Sequence, residues 1–420
     1  MKARFTPALF AHAEAVLGQL LSFAHPADAV VSRYFREHRE LGHADRAFVA
    51  ETVFAVLRRG RSLEVRCAGK LSDRNRLLAA LAVTRGWSQR ELAPVLKPSE
   101  EEWLAAAKAL PDSDLPPAVR CDLPDWLYAR LEAQLGADET LALAAALNQP
   151  APLDLRVNTL KASRDEVLTR LAADGIAAQA GALSPLAVRL RDKPALAKHP
   201  LFLEGAFEVQ DEGSQLLGFL LEPKRGEMVV DFCAGAGGKT LLLGALMRNT
   251  GRLYAFDVSD KRLVKLKPRL ARSGLSNVHP ARIEHERDQK IKRLAGKADR
   301  VLVDAPCSGL GTLRRNPDLK WRQSAESVAE LTLKQAAILA AAAKLVRPGG
   351  RIVYATCSLL NEENNAIVDA FLASHPDFVL TPASAVLARA GIELPGDTLR
   401  LLPHRHHTDG FFAAILDRKS

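Results

Sequence analysis

Long apolar runs, paired cysteines and aromatic residues are all scarce in this 420-residue sequence. No stretch of about 18 residues is apolar throughout, which excludes a transmembrane helix. The five cysteines are an odd number and form no C-x-x-C pair, which argues against a disulfide framework and against a zinc cluster. Residues 1–7 lack the apolar core of a secretory signal. We therefore expect a cytoplasmic protein that has no metal cofactor and does not enter a membrane.

The composition is that of a basic globular protein. Apolar residues make up 48% of the chain and charged residues 25%, which is ordinary for a protein that buries a core and excludes a disordered chain. The formal net charge of +9 favours a polyanionic partner. Because only 5% of the residues are aromatic, a broad stacking surface for single strands is not expected. The length fits roughly three domains.

Three segments with different patterns divide the chain. Residues 1–118 carry apolar side chains at helical spacing and end in a proline-rich stretch, which predicts an all-helical domain. Residues 119–222 begin with helices and continue with short strands, and Ser163 with Glu166 forms a capping box that begins a helix between them. The predicted strands cover residues 153–158, 186–190 and 206–209. This pattern predicts a small α+β module, which serves either RNA docking or a structural purpose.

Residues 223–420 alternate between apolar strands and helices. The strands are predicted at 228–233, 253–258, 300–305 and 350–355. The helices are predicted at 238–247, 261–273 and 325–346. Such alternation predicts an α/β domain with a doubly wound, mostly parallel sheet covered on both faces. Since ligands bind at the carboxyl ends of such strands, the functional residues are expected directly after each strand.

A glycine-rich turn follows the first of these strands. Its spacing, G-x-G-G, fits neither a dinucleotide fingerprint nor a phosphate-binding loop. Asp257 ends the next strand and is placed to accept hydrogen bonds from ribose hydroxyls. A nucleoside cofactor without a pyrophosphate fits this combination, and we predict S-adenosyl-L-methionine. The predicted contacts are Cys233, Ala234, Gly235, Ala236, Gly237, Gly238, Lys239 and Asp257.

Two further strand ends carry cysteines. Asp304 and Cys307 follow one strand, and Cys357 follows its neighbour, so both thiols are expected to face one cleft. Thiols would serve methylation of C5 of cytosine, because a thiolate that adds to C6 makes C5 nucleophilic. A carboxyl group near N3 then supplies or shares a proton, a role that suits Asp304. Lys239 could lower the pKa of a thiol or hold the target base.

The residues at these strand ends resemble the motifs of Sun/Nop-type RNA cytosine-5 methyltransferases, and DRAFV at 45–49 with VLRRG at 56–60 resembles the helical domain of the bacterial ribosomal RNA branch of that family. Three motifs carry most of the likeness, namely DFCAGAGGKT at 231–240, DAPCSG at 304–309 and TCS at 356–358. Supporting motifs are RVN at 156–158, QDEGSQ at 210–215, LRRNPD at 313–318 and TDGFF at 408–412. The likeness covers residues from about 120 to 418. In one departure, Ala236 stands where many members have proline, which is expected to loosen the turn and weaken cofactor affinity.

The resemblance implies a fold and a set of roles. The fold is a class I S-adenosylmethionine-dependent methyltransferase at 223–420, preceded by an antitermination-factor-like helical domain at 1–118 and an RRM-like module at 119–222. Cys357 is implied as the nucleophile, and Cys307 as the group that assists release of methylated RNA. Asp288 and Asp304 are added to the cofactor contacts, although Glu284 and Glu286 compete with Asp288 for the same strand end.

RNA is the expected partner, and the protein is expected to act as a monomer. Small-subunit ribosomal RNA is favoured by the N-terminal segment, and transfer RNA stays open. Arg156, Asn158, Arg314 and Arg315 are the candidate RNA contacts, and the basic helix at 261–273 adds phosphate-binding potential.

Two other classes of function compete with this interpretation. A DNA cytosine-5 methyltransferase would use Cys307 as its nucleophile and would not need Cys357. A non-catalytic RNA-binding assembly factor would not need to retain both thiols together with Asp304 and Lys239.

Overall fold

The structure, a computed structural model, describes residues 5–420 and divides into two compact units. The first unit contains the residues up to Pro150 together with Thr312–Ala325, and the second contains Ala151–Gly311 and Glu326–Ser420. Residues 1–4, where the predicted helical domain begins, lie outside the described part. None of the helices described for residues 5–420 combines the length and apolar character needed to cross a bilayer.

The first unit is built from helices, as predicted. Its helices are α1 Pro7–Leu20, α2 Ala27–Glu37, α3 His43–Arg58, α4 Gly60–Arg66, α5 Asp73–Ala79, α6 Gln89–Leu92, α7 Pro98–Ala109, α8 Pro117–Arg120, α9 Asp125–Leu135 and α10 Ala137–Leu147. Thr6 caps α1 by accepting a hydrogen bond from the Leu9 N–H group, and Pro7 occupies the first helical position. The buried faces of α1, α2, α3 and α5 meet in one apolar core.

The proline-rich stretch at 111–117 lies within this first unit. Asp112 accepts hydrogen bonds from Arg66 at 2.5 Å and from Arg59 at 3.1 Å, so the stretch is tied to α4. The division into three domains at 118 and 222 stays a prediction.

The second unit begins with a small α+β module. Its elements are β1 Leu153–Val157, α11 Arg164–Ala173, β2 Ala178–Ala180, β3 Ala187–Leu190, α12 Pro200–Leu203 and β4 Phe207–Val209. The strands pair antiparallel in the order β2-β3-β1-β4. The capping box is confirmed, because the Ser163 N–H group donates to Glu166 and the Glu166 N–H group donates to Ser163 Oγ. The sequence did not predict β2, whose Ala-Gln-Ala composition carries little strand propensity.

The larger sheet confirms the predicted α/β class. The strands of this sheet and the helices in the same part of the chain are α13 Glu212–Leu221, β5 Met228–Asp231, α14 Gly238–Leu246, β6 Arg252–Asp257, α15 Asp260–Ser273, β7 Val278–Arg282, α16 Gln289–Lys292, β8 Ala298–Asp304, α17 Leu319–Arg322, α18 Ala325–Ala343, β9 Val346–Thr356, α19 Asn365–Ser374, β10 Phe378–Thr381, α20 Ala383–Ala388, β11 Leu399–Leu401, α21 Pro403–His406 and β12 Phe411–Arg418. Of these, α17 belongs to the first unit.

The strand order of this sheet is β10-β12-β9-β8-β5-β6-β7, and β11 pairs with β12. The five strands from β5 to β9 are parallel, whereas β12 is antiparallel to β9, β10 and β11. The strand order reverses between β5 and β8, which is the position where sheets of this type bind ligands.

A short excursion, Thr312–Ala325, leaves the second unit and packs within the first. Asp318 accepts a hydrogen bond from the Ala27 N–H group, and Trp321 Nε1 donates to the Leu57 carbonyl at 2.8 Å. Lys320 is 2% exposed, and its Nζ donates to the Arg58 carbonyl at 2.7 Å and to Asn148 Oδ1 at 3.1 Å. The residues after the Pro-Cys motif are thus part of the helical unit.

Burial lowers the pKa of Lys320 to about 7, which predicts a pH-dependent stability. The unfolded chain binds a proton at Lys320 up to about pH 10, whereas the folded chain loses it near pH 7. The stability contributed by Lys320 is therefore full above about pH 10 and is lost as the pH falls to 7. Between these limits the free energy of unfolding should rise more steeply in the native protein than in Lys320→Met, by up to about 1.4 kcal/mol per pH unit.

Urea unfolding at several pH values measures this difference. Lys70→Met is the matched control, because Lys70 is an exposed lysine of the same unit. Equal slopes in the native protein and Lys320→Met would contradict the assignment.

Candidate active site

The carboxyl ends of the parallel strands open into one cleft with a volume of about 960 Å³. Most of the residues that the sequence selected line this cleft, and they come from turns that are far apart in the chain. The predicted residues in the lining are Cys233, Ala234, Gly235, Ala236, Gly238, Lys239, Asp257, Asp304, Cys307 and Cys357. The sequence did not indicate Lys334 and Ile338, which line the cleft from one face of α18.

The glycine turn joins β5 to α14 with two glycines in the left-handed region. Gly237 has a φ of +82°, and a Cβ atom there would collide with the side chain of Leu266. Gly237 therefore serves close packing rather than the cleft lining. Gly235 has a φ of +57° with open space where a Cβ would stand, so its glycine requirement is conformational.

Asp257 ties the end of β6 to this turn. Its side chain is buried, Oδ2 accepts a hydrogen bond from the Gly235 N–H group at 2.8 Å, and Oδ1 accepts one from the Ser259 N–H group at 2.7 Å. A carboxylate offers about four lone-pair positions, so Asp257 can still accept hydroxyl groups. The exposed side chain of Val258 lies next to it in the cleft. A fixed carboxylate beside an apolar surface fits the ribose and base of a nucleoside.

Two arginines, one buried (Arg156) and one partly buried (Arg269), hold the carbonyl groups of the glycine turn. Arg156 Nη1 donates to the Gly238 carbonyl at 2.5 Å and also to Gln210 Oε1. Arg269 Nη1 donates to the Ala236 carbonyl at 2.6 Å. The turn that carries Ala236 is therefore held in place by side chains that lie outside the turn. No local pattern in the sequence marks Arg269 for this contact, which spans 33 positions.

The predicted RNA contacts at Arg156 and Asn158 need correction. Arg156 is 2% exposed and Asn158 is 6% exposed. Asn158 Nδ2 donates to the carbonyl groups of Gly205 and Ser273. Both side chains satisfy groups inside the second unit, so their burial argues against direct contact with RNA.

Arg314 and Arg315 lie in the excursion that packs with the first unit. Both are partly exposed, and the Arg314 carbonyl accepts a hydrogen bond from Arg58 Nη2 at 3.1 Å. Their contact with RNA stays a prediction.

Asp288 does not line the cleft, so the prediction that it contacts the cofactor is corrected. It caps α16 instead, accepting hydrogen bonds from the N–H groups of Lys290 at 2.8 Å and Glu284 at 2.9 Å. These two backbone hydrogen bonds lower the pKa of Asp288. The competing residues Glu284 and Glu286 line the cleft.

The two thiols meet at the carboxyl ends of β8 and β9. The parallel register sets Asp304 beside Ala355, and Cys307 Sγ lies 3.4 Å from Cys357 Sγ. The expectation that both thiols face one cleft is confirmed. The hydrogen bond to Cys357 and burial raise the pKa of Cys307 well above its usual range. Either thiol can donate the hydrogen bond that joins the two sulfurs.

Lys239 and Asp304 form an ion pair beside the thiols. Lys239 Nζ lies 2.6 Å from Asp304 Oδ2. Burial opposes the charge of Lys239, but the attraction and the hydrogen bond of Asp304, together with nearby acidic groups, outweigh it and raise the pKa of the ammonium group. The electrostatic interaction with Cys357 acts in the same direction. The cleft thus brings two thiols and a charged pair together with the glycine turn and Asp257.

Two family profiles match the chain. One, described as 16S rRNA methyltransferase RsmB/F, covers residues 218–417, and the other, an RsmF/B-like ferredoxin-like domain, covers residues 123–196. A protein of Synechocystis sp., named a probable ribosomal RNA small subunit methyltransferase B, is 35% identical over 93% of this chain and 95% of its own length. The chain belongs to the RsmB/F methyltransferase family. The resemblance stated from the motifs is thereby confirmed.

Solved structures agree with this family and with the fold. The crystal structure of PH0851 covers the whole chain with a TM-score of 0.80 at 29% identity. A methyltransferase homologue from Pyrococcus horikoshii is 31% identical, with a TM-score of 0.63, and covers 74% of this chain and 100% of its own. The methyl donor of this RsmB/F protein is S-adenosyl-L-methionine, as the glycine turn and Asp257 predicted.

The arginine contacts of the turn predict a loss of cofactor affinity in Arg156→Met. This change removes the donors to Gly238 and Gln210, and loss of such a charged hydrogen bond should weaken S-adenosyl-L-methionine binding about tenfold. Isothermal titration calorimetry measures the dissociation constant. The control is Arg170→Met, which removes an exposed arginine paired with Glu204 in the same module. An unchanged affinity in a folded Arg156→Met protein would refute the positioning role.

Proposed function

We propose that this RsmB/F protein methylates C5 of a cytosine in RNA, with small-subunit ribosomal RNA as its substrate, through a covalent adduct between Cys357 and C6. The observation that carries the proposal is the 3.4 Å approach of the Cys307 and Cys357 sulfurs beside the Lys239–Asp304 ion pair. A non-catalytic RNA-binding protein has no use for this arrangement.

The proposed reaction begins at Cys357. Its thiolate adds to C6 of the cytosine, the S–C6 bond forms, and the electron pair of the C5–C6 double bond becomes available at C5. The Lys239–Asp304 pair supplies or shares a proton at N3 as charge builds on the ring. The electrostatic attraction between the Lys239 ammonium group and Cys357 supports Cys357 as the nucleophile, because it favours a thiolate at that position.

The second half of the reaction returns Cys357 to its starting form. When bound, S-adenosyl-L-methionine supplies an electrophilic methyl group for C5. A base then removes the C5 proton, the S–C6 bond breaks, and the sulfur leaves as a thiolate while N3 returns its proton to the Lys239–Asp304 pair. Cys307 is proposed to assist this release through its proton.

The cofactor would be held by the glycine turn and two carboxylates. The proposed contacts are the cleft-lining residues of the turn, namely Cys233–Ala236, Gly238 and Lys239, with Asp257 for the ribose hydroxyls and Asp304 as a further contact. Asp257 supports the ribose role because it is buried and fixed by two backbone N–H groups.

Support for ribosomal RNA comes from the relatives. The Synechocystis and Bacillus subtilis proteins are both named probable ribosomal RNA small subunit methyltransferase B. The net charge of +9 agrees with a polyanionic substrate. Since a base inside a helix cannot reach a thiol, the target cytosine must be unstacked.

Two cysteine substitutions test the mechanism. Cys357→Ala should reduce methyl transfer to background, because no sulfur remains to add to C6. Cys307→Ala should accumulate a covalent protein–RNA adduct, because release is impaired while addition is not. Transfer of a radioactive methyl group and a denaturing gel shift measure the two effects.

The matched control is Cys121→Ala, which removes a buried thiol of the first unit. Methylation by Cys357→Ala together with inactivity of Cys307→Ala would reverse the two roles and favour the arrangement expected of a DNA enzyme.

The substrate is tested separately. Bisulfite sequencing of total RNA from a deletion strain and its parent should reveal one or more cytosines of small-subunit ribosomal RNA that lose methylation. Loss confined to transfer RNA would overturn the assignment to ribosomal RNA and leave the chemistry in place.

A further inference from the structure

A buried polar cluster lies next to the two thiols. We call it the Glu363 cluster, and it contains Ser308, Gln335, Ser358 and Glu363. All four side chains are at most 2% exposed. None of them was selected from the sequence as a site residue, and none lines the cleft.

Glu363 is the centre of the cluster. Its Oε1 accepts hydrogen bonds from the Ser308 N–H group at 2.8 Å and from Gln335 Nε2 at 3.0 Å. Its Oε2 accepts the Ser308 hydroxyl at 2.5 Å and also the Ser358 hydroxyl. A single carboxylate therefore joins residues 50 positions apart in the chain.

The two serines of the cluster are sequence neighbours of the two cysteines. Ser308 directly follows Cys307, and Ser358 directly follows Cys357. On the other side of Cys307, the Pro306 carbonyl accepts a hydrogen bond from Gln335 Nε2 at 3.0 Å. Both backbone neighbours of Cys307 are thus fixed by the same cluster.

Cys357 is fixed on both sides in a similar way. The residue after it, Ser358, donates to Glu363, and its carbonyl accepts from Asn364 Nδ2 at 3.1 Å. The residue before it, Thr356, donates its hydroxyl to Asn364 Oδ1 at 2.5 Å. Glu363 and its neighbour Asn364 thereby hold the turn that carries Cys357.

We propose that Glu363 is a positioning residue for the methyl-transfer reaction, which sets the separation and direction of the two thiols without touching the substrate. The inference rests on the proposed function, because it concerns the two thiols assigned there. A buried carboxylate that accepts four hydrogen bonds is costly to displace, so it keeps two turns in one arrangement. A change that frees either turn should misplace a sulfur, and a displacement of about 1 Å can cost roughly a hundredfold in rate.

The first test reads the thiol arrangement without RNA or cofactor. Diamide oxidises two neighbouring thiols to a disulfide and takes up their two electrons and two protons. The native protein should form the Cys307–Cys357 disulfide, and Glu363→Ala should form it about tenfold more slowly because the sulfurs no longer meet. Peptide mapping by mass spectrometry measures the rate.

A conservative variant and a matched control accompany this test. Glu363→Gln keeps the shape of the side chain and one acceptor oxygen, so its rate should lie between those of Glu363→Ala and the native protein. Asp122→Asn alters an equally buried carboxylate that accepts the N–H and hydroxyl groups of Ser62 in the first unit, and it should oxidise at the native rate. A native rate in folded Glu363→Gln and Glu363→Ala would overturn the proposal.

The second test separates positioning from binding. In Glu363→Gln, kcat for methyl transfer should fall while the KM for RNA and the dissociation constant of S-adenosyl-L-methionine stay near their native values. A loss confined to KM would contradict a positioning role.

The two proposals fail in different ways. If Cys357→Ala still methylates RNA, the proposed mechanism fails, whereas slower disulfide formation in Glu363→Ala would still show that Glu363 sets the thiols. If the disulfide rates are equal and Cys357→Ala is inactive, the role of Glu363 alone fails.

Discussion

The parallel pairing of β8 with β9 is the constraint on which the candidate active site depends. In a parallel pair both carboxyl ends lie at the same edge of the sheet, and the register places Asp304 opposite Ala355. Three residues beyond Asp304 and two beyond Ala355, the chain reaches Cys307 and Cys357. Their sulfurs meet at 3.4 Å, and the Lys239–Asp304 pair lies at the same edge because β5 is the other neighbour of β8.

The parallel strands and the functional residues that follow them could be predicted because the sequence patterns that indicate them are local. Strands buried on both faces appear as short apolar runs, and functional residues follow them directly, so Asp257, Asp304, Cys307 and Cys357 could be placed at one sheet edge from sequence. The glycine turn was recognisable for the same reason. The sequence analysis did not predict the antiparallel strands β10, β11 and β12, because no local sequence pattern indicates their pairing with β9 and with one another.

Burial and distant pairing explain the other differences. Arg156 belongs to a motif that suggested RNA contact, but its partner Gly238 lies 82 positions away, and only the folded chain shows that the guanidinium is buried against the cofactor turn. Asp288 has the residue type of a cofactor ligand, yet its carboxylate is used to cap α16. The excursion Thr312–Ala325 carries basic residues that suggest a solvated face, whereas Lys320 is buried in the helical unit.

The charged groups around the thiols fall into two sets, one that lines the cleft and one that is buried in the interior. Lys239 and Asp304 line the cleft with 15% and 28% of their side chains exposed and can meet a substrate, whereas Glu363 and Asp231 are buried completely. Burial raises the pKa of Asp231 to about 7, even though its carboxylate accepts a hydrogen bond from Thr240. Glu363 instead receives donors at both oxygens. The hydrogen bonds of a buried carboxylate with several donors are energetically costly to break, and they require one geometry. Such a carboxylate can therefore hold in place two turns that must act on the same base.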